Sequence, residues 1–165
     1  NGESYGMRSD QIFVGGNSAG GGLCAAVSLL ARDKGDINIA FQMPLYPMID
    51  NIDTESSRDN HGISWNTRRN HAAWKLYLRS LDGEDVPAYA APSRREDFHG
   101  LPPCYTFVGD REAFYCETLT YVEKLKERYN FPANYKPDEF DYDLARSVIA
   151  EARVANTKFA LDGKM

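Results

Sequence analysis

The chain has 165 residues, 42% apolar and 26% charged, the size and composition of one ordinary globular domain and too short for two full ones. A formal net charge of −5 argues against a polyanion such as nucleic acid as the main partner, and with no apolar run near the ~18 residues of a membrane span, and no signal-peptide pattern in Asn1 to Asp10, neither feature is expected. Cys24, Cys104 and Cys116 are odd in number and lack CxxC spacing, so neither a disulfide framework nor a zinc site is indicated and a reducing, cytoplasmic setting is expected.

Ile12, Phe13 and Val14 end at Gly15-Gly16, which predicts a strand over 11–14 and a tight turn. Leu23, Ala26, Val27, Leu30 and Ala31 then recur at i, i+3, i+4, i+7 and i+8, predicting a helix over 20–33, stopped by Gly35. The apolar run 39–45 predicts a second strand, and strand, helix, strand together predict a parallel pair with a right-handed crossover. Residues 48–66 are rich in Asp, Asn and Ser and read as a long loop over the top of the sheet. Trp74, Tyr77, Leu78 and Leu81 predict a helix over 67–81, ended by Asp82-Gly83, and 83–103 reads as irregular. A short strand over 105–108 follows, then a helix marked by Leu119, Val122, Leu125 and Tyr129, a weak strand over 133–136 and a last helix carrying Leu144, Val148, Ala152, Ala155 and Phe159. Such alternation predicts an α/β class, a three-layer α/β/α sandwich with a mainly parallel sheet.

The turn between the first strand and helix carries chemistry. Gly16-Asn17-Ser18-Ala19-Gly20 fits G-x-S-x-G, and a strand leads in while an amphipathic helix leads out, the context of a nucleophile elbow. A serine held on a strained turn needs neighbours without Cβ atoms, which predicts roles for Gly16 and Gly20 in letting the Ser18 hydroxyl stand clear. The Ala19 N–H lies at a helix N-terminus, where it can point at an oxyanion. Two other readings are a plain glycine-rich turn and a phosphate cradle; Gly20 to Ala25 matches G-x-G-x-x-A by letter, but its first glycine lies six residues beyond Val14 instead of directly after the strand.

Gly15-Gly16-Asn17-Ser18-Ala19-Gly20-Gly21-Gly22-Leu23, followed in order by Leu45-Tyr46-Pro47-Met48-Ile49-Asp50, Trp65-Asn66-Thr67, Leu101-Pro102-Pro103 and Val108-Gly109-Asp110, resembles the hormone-sensitive-lipase-like family of α/β-hydrolase esterases. The resemblance runs from about Ser9 to about Tyr135. It implies hydrolysis of small-molecule carboxylic esters, often short-chain, by a Ser-Asp/Glu-His triad with no metal or organic cofactor. By that resemblance Ser18 is the nucleophile, Ala19 an oxyanion donor and Glu112 the triad acid, with Asp110 a nearby competitor. Acids at that position also suit the start of a helix without any catalytic role.

The family's general base is a histidine within a pattern resembling Gly-x-Phe/Tyr-His-x-Phe. Here Phe140 and Tyr142 keep the aromatic frame, Asp141 stands about where histidine belongs, and no histidine follows His99. An aspartate, with an ordinary pKa of ~3.9, is a poor base toward a serine hydroxyl. His61, His71 and His99 stand at no family catalytic position, and His61, in the long loop, is the least implausible substitute. The family's cap segment and His-Gly-Gly oxyanion loop precede the elbow and are not found in the 165 residues, so a single partial α/β-hydrolase domain over 1–165 is expected, nearly inactive alone. Its first strand should be left as an apolar edge, predicting self-association or a need for an N-terminal portion. The alternative reading is a non-catalytic hydrolase-fold remnant that keeps the elbow as architecture.

Overall fold

The computed structural model describes residues 2–6, 8, 12–81 and 85–128. The chain divides into two units, Asn1–Tyr129 and Asn130–Met165. The expected strand over 133–136, the last helix and Asp141 lie outside the described residues, as do Gln11 and Asp82-Gly83.

Strands β1 (Ile12–Asn17) and β2 (Ile39–Leu45) pair in parallel, with Asn17 opposite Leu45 and a register shift between Ile12 and Phe13. β1 thus runs three residues beyond the apolar stretch that marks it. Gly15 and Gly16 do not end the strand; they lie in the ladder opposite Met43 and Pro44, and the chain turns only at Ser18.

Helix α1 (Ala19–Lys34) fills the crossover. Gly35 ends it in the left-handed region at φ 67°, its N–H donating to Ala31 O at 2.9 Å, and Arg32 and Lys34 in the last turn face the negative end of the helix dipole. The apolar stripe that marks this helix is only partly its buried face. Ala26 and Ala31 are buried, but Leu23, Val27 and Leu30 are exposed, and the inner face is made of Gly21, Gly22, Cys24, Ala25, Ser28 and Leu29. Helical periodicity finds the large residues, whereas close approach selects the small ones. A Cβ on Gly21 would stand 2.9 Å from Leu45 O and from Pro47 Cα, and one on Gly22 would run into Met48 O. Each glycine costs roughly 1 kcal/mol of helix propensity relative to alanine, and the gain is a helix start pressed against the chain that leaves β2.

The strand expected over 105–108 forms no regular strand among the described residues. Residues 103–107 nonetheless run along β2: Gln42 N donates to Pro103 O, Tyr105 N to Gln42 O and Tyr46 N to Phe107 O at 2.8–3.0 Å. The Gln42 side chain is fully buried with a partner on each polar atom, its amide nitrogen donating to Pro102 O and its amide oxygen accepting from the Tyr121 hydroxyl.

Helix α2 (Thr67–Tyr77) starts on Asn66, whose side chain accepts from Arg69 N, and ends four residues short of the expected boundary. Helix α3 (Tyr115–Arg128) begins one turn earlier than its apolar periodicity suggests, because the long loop supplies a cap: Cys116 N donates to Ser56 Oγ at 3.0 Å. That loop is pinned rather than loose, since Ser56 Oγ donates to Ala113 O, Asn60 Nδ2 to Arg111 O and Thr67 Oγ1 to Ser57 O.

Two apolar cores form among the described residues. One joins Ala25 and Leu29 of α1 to Ile49, Phe98, Leu101 and to Tyr121 and Leu125 of α3; the other joins Met48 to Trp74, Ala91, Ala113 and Phe114. Met48 and Ile49, consecutive residues after β2, therefore enter different cores, which fixes the backbone between them.

Candidate active site

Ser18 sits between β1 and α1 at φ 56°, ψ −121°. A non-glycine residue held there costs ~1–3 kcal/mol and persists only where its surroundings over-determine it. The surroundings do so: Ser18 N donates to Leu45 O, and Ser18 O accepts from Met48 N and Gly22 N, at 3.0–3.1 Å. A serine before a helix ordinarily caps it by accepting a first-turn N–H. Ser18 makes no such bond. Its hydroxyl has no hydrogen-bond partner among the described residues, while the Ala19 N–H remains one of the donors a helix start cannot satisfy within itself.

The glycine requirement is one-sided. A Cβ on Gly16 would run into the backbone oxygen of Gly20, whereas one on Gly20 would find its nearest neighbour, Asn17 Oδ1, at 4.0 Å. The expectation for Gly20 is thus corrected: Gly16 is the residue that must lack a side chain, together with Gly21 and Gly22 further in. Beside the elbow, Asn17 Nδ2 donates to the Tyr46 hydroxyl at 3.0 Å, and Tyr46 has φ 34°. Among the described residues the two non-glycine positions at positive φ, Ser18 and Tyr46, follow the paired strand ends Asn17 and Leu45.

Glu112 and Asp110 are both exposed, in the turn between the 103–107 segment and α3. Glu112 Oε1 accepts from Gly109 N at 3.1 Å, closing that turn on itself. No bond joins either carboxylate to a histidine among the described residues. The histidines have other partners: His61 with Asp59, His71 with Asp53 and His99 with Asp97, at 2.8–3.1 Å, all at the surface. A cleft of about 550 Å³ gathers His61 and His71 with Arg58 and Arg68, and Ser18 is not in its lining. The described residues bring together no cluster of histidine, cysteine and carboxylate able to hold a metal. Burial pushes the Cys24 thiol up to about 11 and Cys104 to about 12, so neither is a nucleophile near neutral pH.

One site-adjacent residue escapes sequence reasoning. Glu117 is 1% exposed, its Oε1 accepts from Ile49 N at 2.8 Å and Asp50 N at 3.4 Å, and its Oε2 is buried without a partner. Desolvation pushes its carboxyl up to about 8, with the neighbouring Asp50 adding to the rise. The signal was present: Glu117, Tyr121 and Leu125 share one helix face at i, i+4 and i+8, so an acid lies on an apolar stripe.

A family profile for the alpha/beta hydrolase fold matches residues 1–136. The chain belongs to the hormone-sensitive-lipase-like esterases of that fold. Among solved structures it is similar to a bacterial heroin esterase, at 36% identity and TM-score 0.73 over 77% of this chain and 42% of that one. It is also similar to esterase LipW from Mycobacterium marinum, at 25% identity and TM-score 0.71 over 77% of this chain and 40% of that one. Esterase LipI of Mycobacterium tuberculosis is 29% identical over 126 residues, 75% of this chain and 39% of its own length. The chain thus spans about two fifths of the relatives it matches. No helix among the described residues is long and apolar enough to cross a membrane.

Proposed function

We propose that this hydrolase-fold chain carries the nucleophile side of a carboxylic ester hydrolase. The Ser18 hydroxyl oxygen attacks the ester carbonyl carbon as its proton passes to a base. The carbonyl oxygen becomes an oxyanion facing the Ala19 N–H; the C–O bond to the alcohol breaks, the alcohol leaves protonated, and water later cleaves the acyl-serine by the same steps. Glu112 is the orienting acid, Asp110 its competitor, and Gly16 holds the turn open. Short-chain esters are the substrate class by kinship. The observation that carries the reading is Ser18 itself, a strained helix-cap serine whose hydroxyl caps nothing. Unpaired cysteines fit a reducing, cytoplasmic setting.

A second reading, a hydrolase-fold remnant with little turnover, draws support from the histidines. Each is engaged with a surface aspartate, and none is bonded to Ser18. The 165 residues acting alone should therefore turn over esters near the background rate. Diethyl p-nitrophenyl phosphate, from which a serine oxygen displaces p-nitrophenolate to form a stable phosphate ester, tests the nucleophile directly. Peptide mapping is expected to find one adduct, slowly formed, at Ser18, and none in Ser18→Ala. No adduct, or one at another residue, overturns the nucleophile reading. Brisk turnover of p-nitrophenyl butyrate that disappears in Ser18→Ala overturns the near-inactivity and makes His61 the base to test.

A further inference from the structure

We propose that Glu117 is a positioning residue for the elbow: its buried carboxyl clamps the Met48–Asp50 backbone, and through Met48 it holds Ser18 in its strained conformation. The proposal rests on Ser18 being the nucleophile, but its structural half stands apart from that.

The chain of contacts is short. Glu117 Oε1 takes the Ile49 and Asp50 N–H groups, and the preceding residue's N–H, that of Met48, donates to the Ser18 carbonyl at 3.0 Å. Met48 also presses its carbonyl against Gly22, where no Cβ could fit, so the strap after β2 and the start of α1 move together. On its other side the strap is tied by Ser93 N, which donates to Ile49 O at 3.1 Å. Glu117 is on the same helix whose preceding turn carries Glu112. One side chain thus joins the acid-bearing turn to the strap that holds the nucleophile.

A glutamate is an expensive way to satisfy two backbone N–H groups in an apolar core, and a charged one with a bare Oε2 would be more so. Its raised pKa means that the carboxyl is mostly protonated at neutral pH, so glutamine reproduces both its acceptor and its neutrality. Asp50 faces it, with Arg94 and Lys124 beside Asp50. Methionine, by contrast, fills the volume and accepts nothing.

The test compares wild type, Glu117→Gln and Glu117→Met at pH 6.5 with two readouts: residue-resolved amide exchange by NMR and the rate of Ser18 labelling by diethyl p-nitrophenyl phosphate. In Glu117→Met the amides of Met48 and Ser18, which Glu117 does not touch, are expected to exchange at least about tenfold faster, with labelling slowed about tenfold or more. Glu117→Gln is expected to behave as wild type in both. Should Glu117→Met not fold, Glu117→Asp, which leaves the carboxyl a methylene short of Ile49, takes its place with the same expectation. Unchanged exchange at Met48 and Ser18 in the disrupting variant overturns the clamp, as does a Glu117→Gln protein as impaired as Glu117→Met. If wild type is not labelled at all, the nucleophile reading fails, and the exchange data alone decide whether Glu117 clamps the strap.

Discussion

Around Ser18 the backbone is fixed from both sides, Leu45 O taking its N–H and Met48 N–H and Gly22 N–H binding its carbonyl, whereas His61, His71 and His99 stand at the surface with one aspartate each. The first region is bound by backbone contacts that leave no room for a methyl group at Gly16, Gly21 or Gly22; the second is bound by solvent-exposed histidine–aspartate contacts, which add little stability. A nucleophile depends on strain and must be built into the core, so its cost is visible in the fold. A base needs only to be delivered to the right place, and no packing argument compels these three histidines to go there. The two regions therefore answer to different experiments.

The largest expected effect lies in the clamp behind the nucleophile. Glu117 is pushed from 4.5 to about 8 on folding, chiefly by desolvation, so the folded state binds a proton that the unfolded state has released. A raised acid pKa means stability present below about pH 4.5 and lost as pH rises through about 8, with a slope of up to ~1.4 kcal/mol per pH unit. Asp50, also raised by burial, adds in the same direction, and Arg94 and Lys124 beside it act against it. Urea denaturation from pH 5 to 8 is expected to show stability falling by an amount on the order of 4 kcal/mol, and Glu117→Gln should flatten most of that slope. An equal slope in the variant would place the titration elsewhere and leave Glu117 without a titrating role behind the elbow.

Next comes the asymmetry of the glycines. Gly16→Ala drives a Cβ into the Gly20 carbonyl and is expected to cost roughly 3 kcal/mol or to prevent folding, while Gly20→Ala, at a helical position with space, should be neutral or stabilise by up to ~1 kcal/mol. Thermal denaturation of the pair decides it. If both alanines cost the same, the elbow is strained by something other than the contact of β1 with α1.

These positions also mark how far the sequence could be read. The strand–turn–helix around Ser18 was legible because its signal is local: an apolar run, two glycines, a helical period. β2 and the parallel pairing followed from the same logic. The inner face of α1 was not legible, because periodicity ranks residues by hydrophobicity, whereas the fit of Gly21 and Gly22 against Leu45, Pro47 and Met48 is tertiary. The third strand dissolved because residues 103–107 follow β2 through scattered bonds rather than a continuous ladder. Glu117 was missed since a single acid on a helical stripe is ordinarily taken as noise, and only the Ile49 and Asp50 N–H groups give it a purpose.

A smaller effect belongs to the apolar surface exposed along α1. Leu23, Val27 and Leu30 lie uncovered along α1, and Phe13, Tyr105 and Phe107 are each about half exposed. An apolar area of this kind is rarely left open on a monomer, so the polypeptide is expected to self-associate at micromolar concentration. Leu23→Lys with Val27→Lys should reduce light scattering while changing stability by no more than ~0.5 kcal/mol each. A wild-type chain that sediments as a clean monomer would show that this exposed apolar area is too small to drive association.

The smallest expected effect tests the second region by replacing it. If Ser18 is held ready and the base limits the reaction, a small diffusible base should restore part of the chemistry without any change in the protein. Free imidazole, with a pKa near that of a histidine side chain, can accept the Ser18 proton from solution, but it lacks the orientation that makes an enzymatic base worth ~10²–10⁴-fold. Only a few-fold gain is therefore expected in p-nitrophenyl butyrate hydrolysis, or in Ser18 labelling, at 0.1 M-scale imidazole. Imidazole hydrolyses such esters itself, so the meaningful quantity is the difference between wild type and Ser18→Ala at equal imidazole. A difference that grows with imidazole, and does so along the titration of imidazole with pH, would mean that the nucleophile side is complete in Ser18 and its strap. The same difference should persist in His61→Ala, whose ring is paired with Asp59 at 3.0 Å on the surface. If His61→Ala instead removes a turnover that wild type shows without imidazole, the long loop does deliver a base, and the contrast between the two regions is one of packing alone.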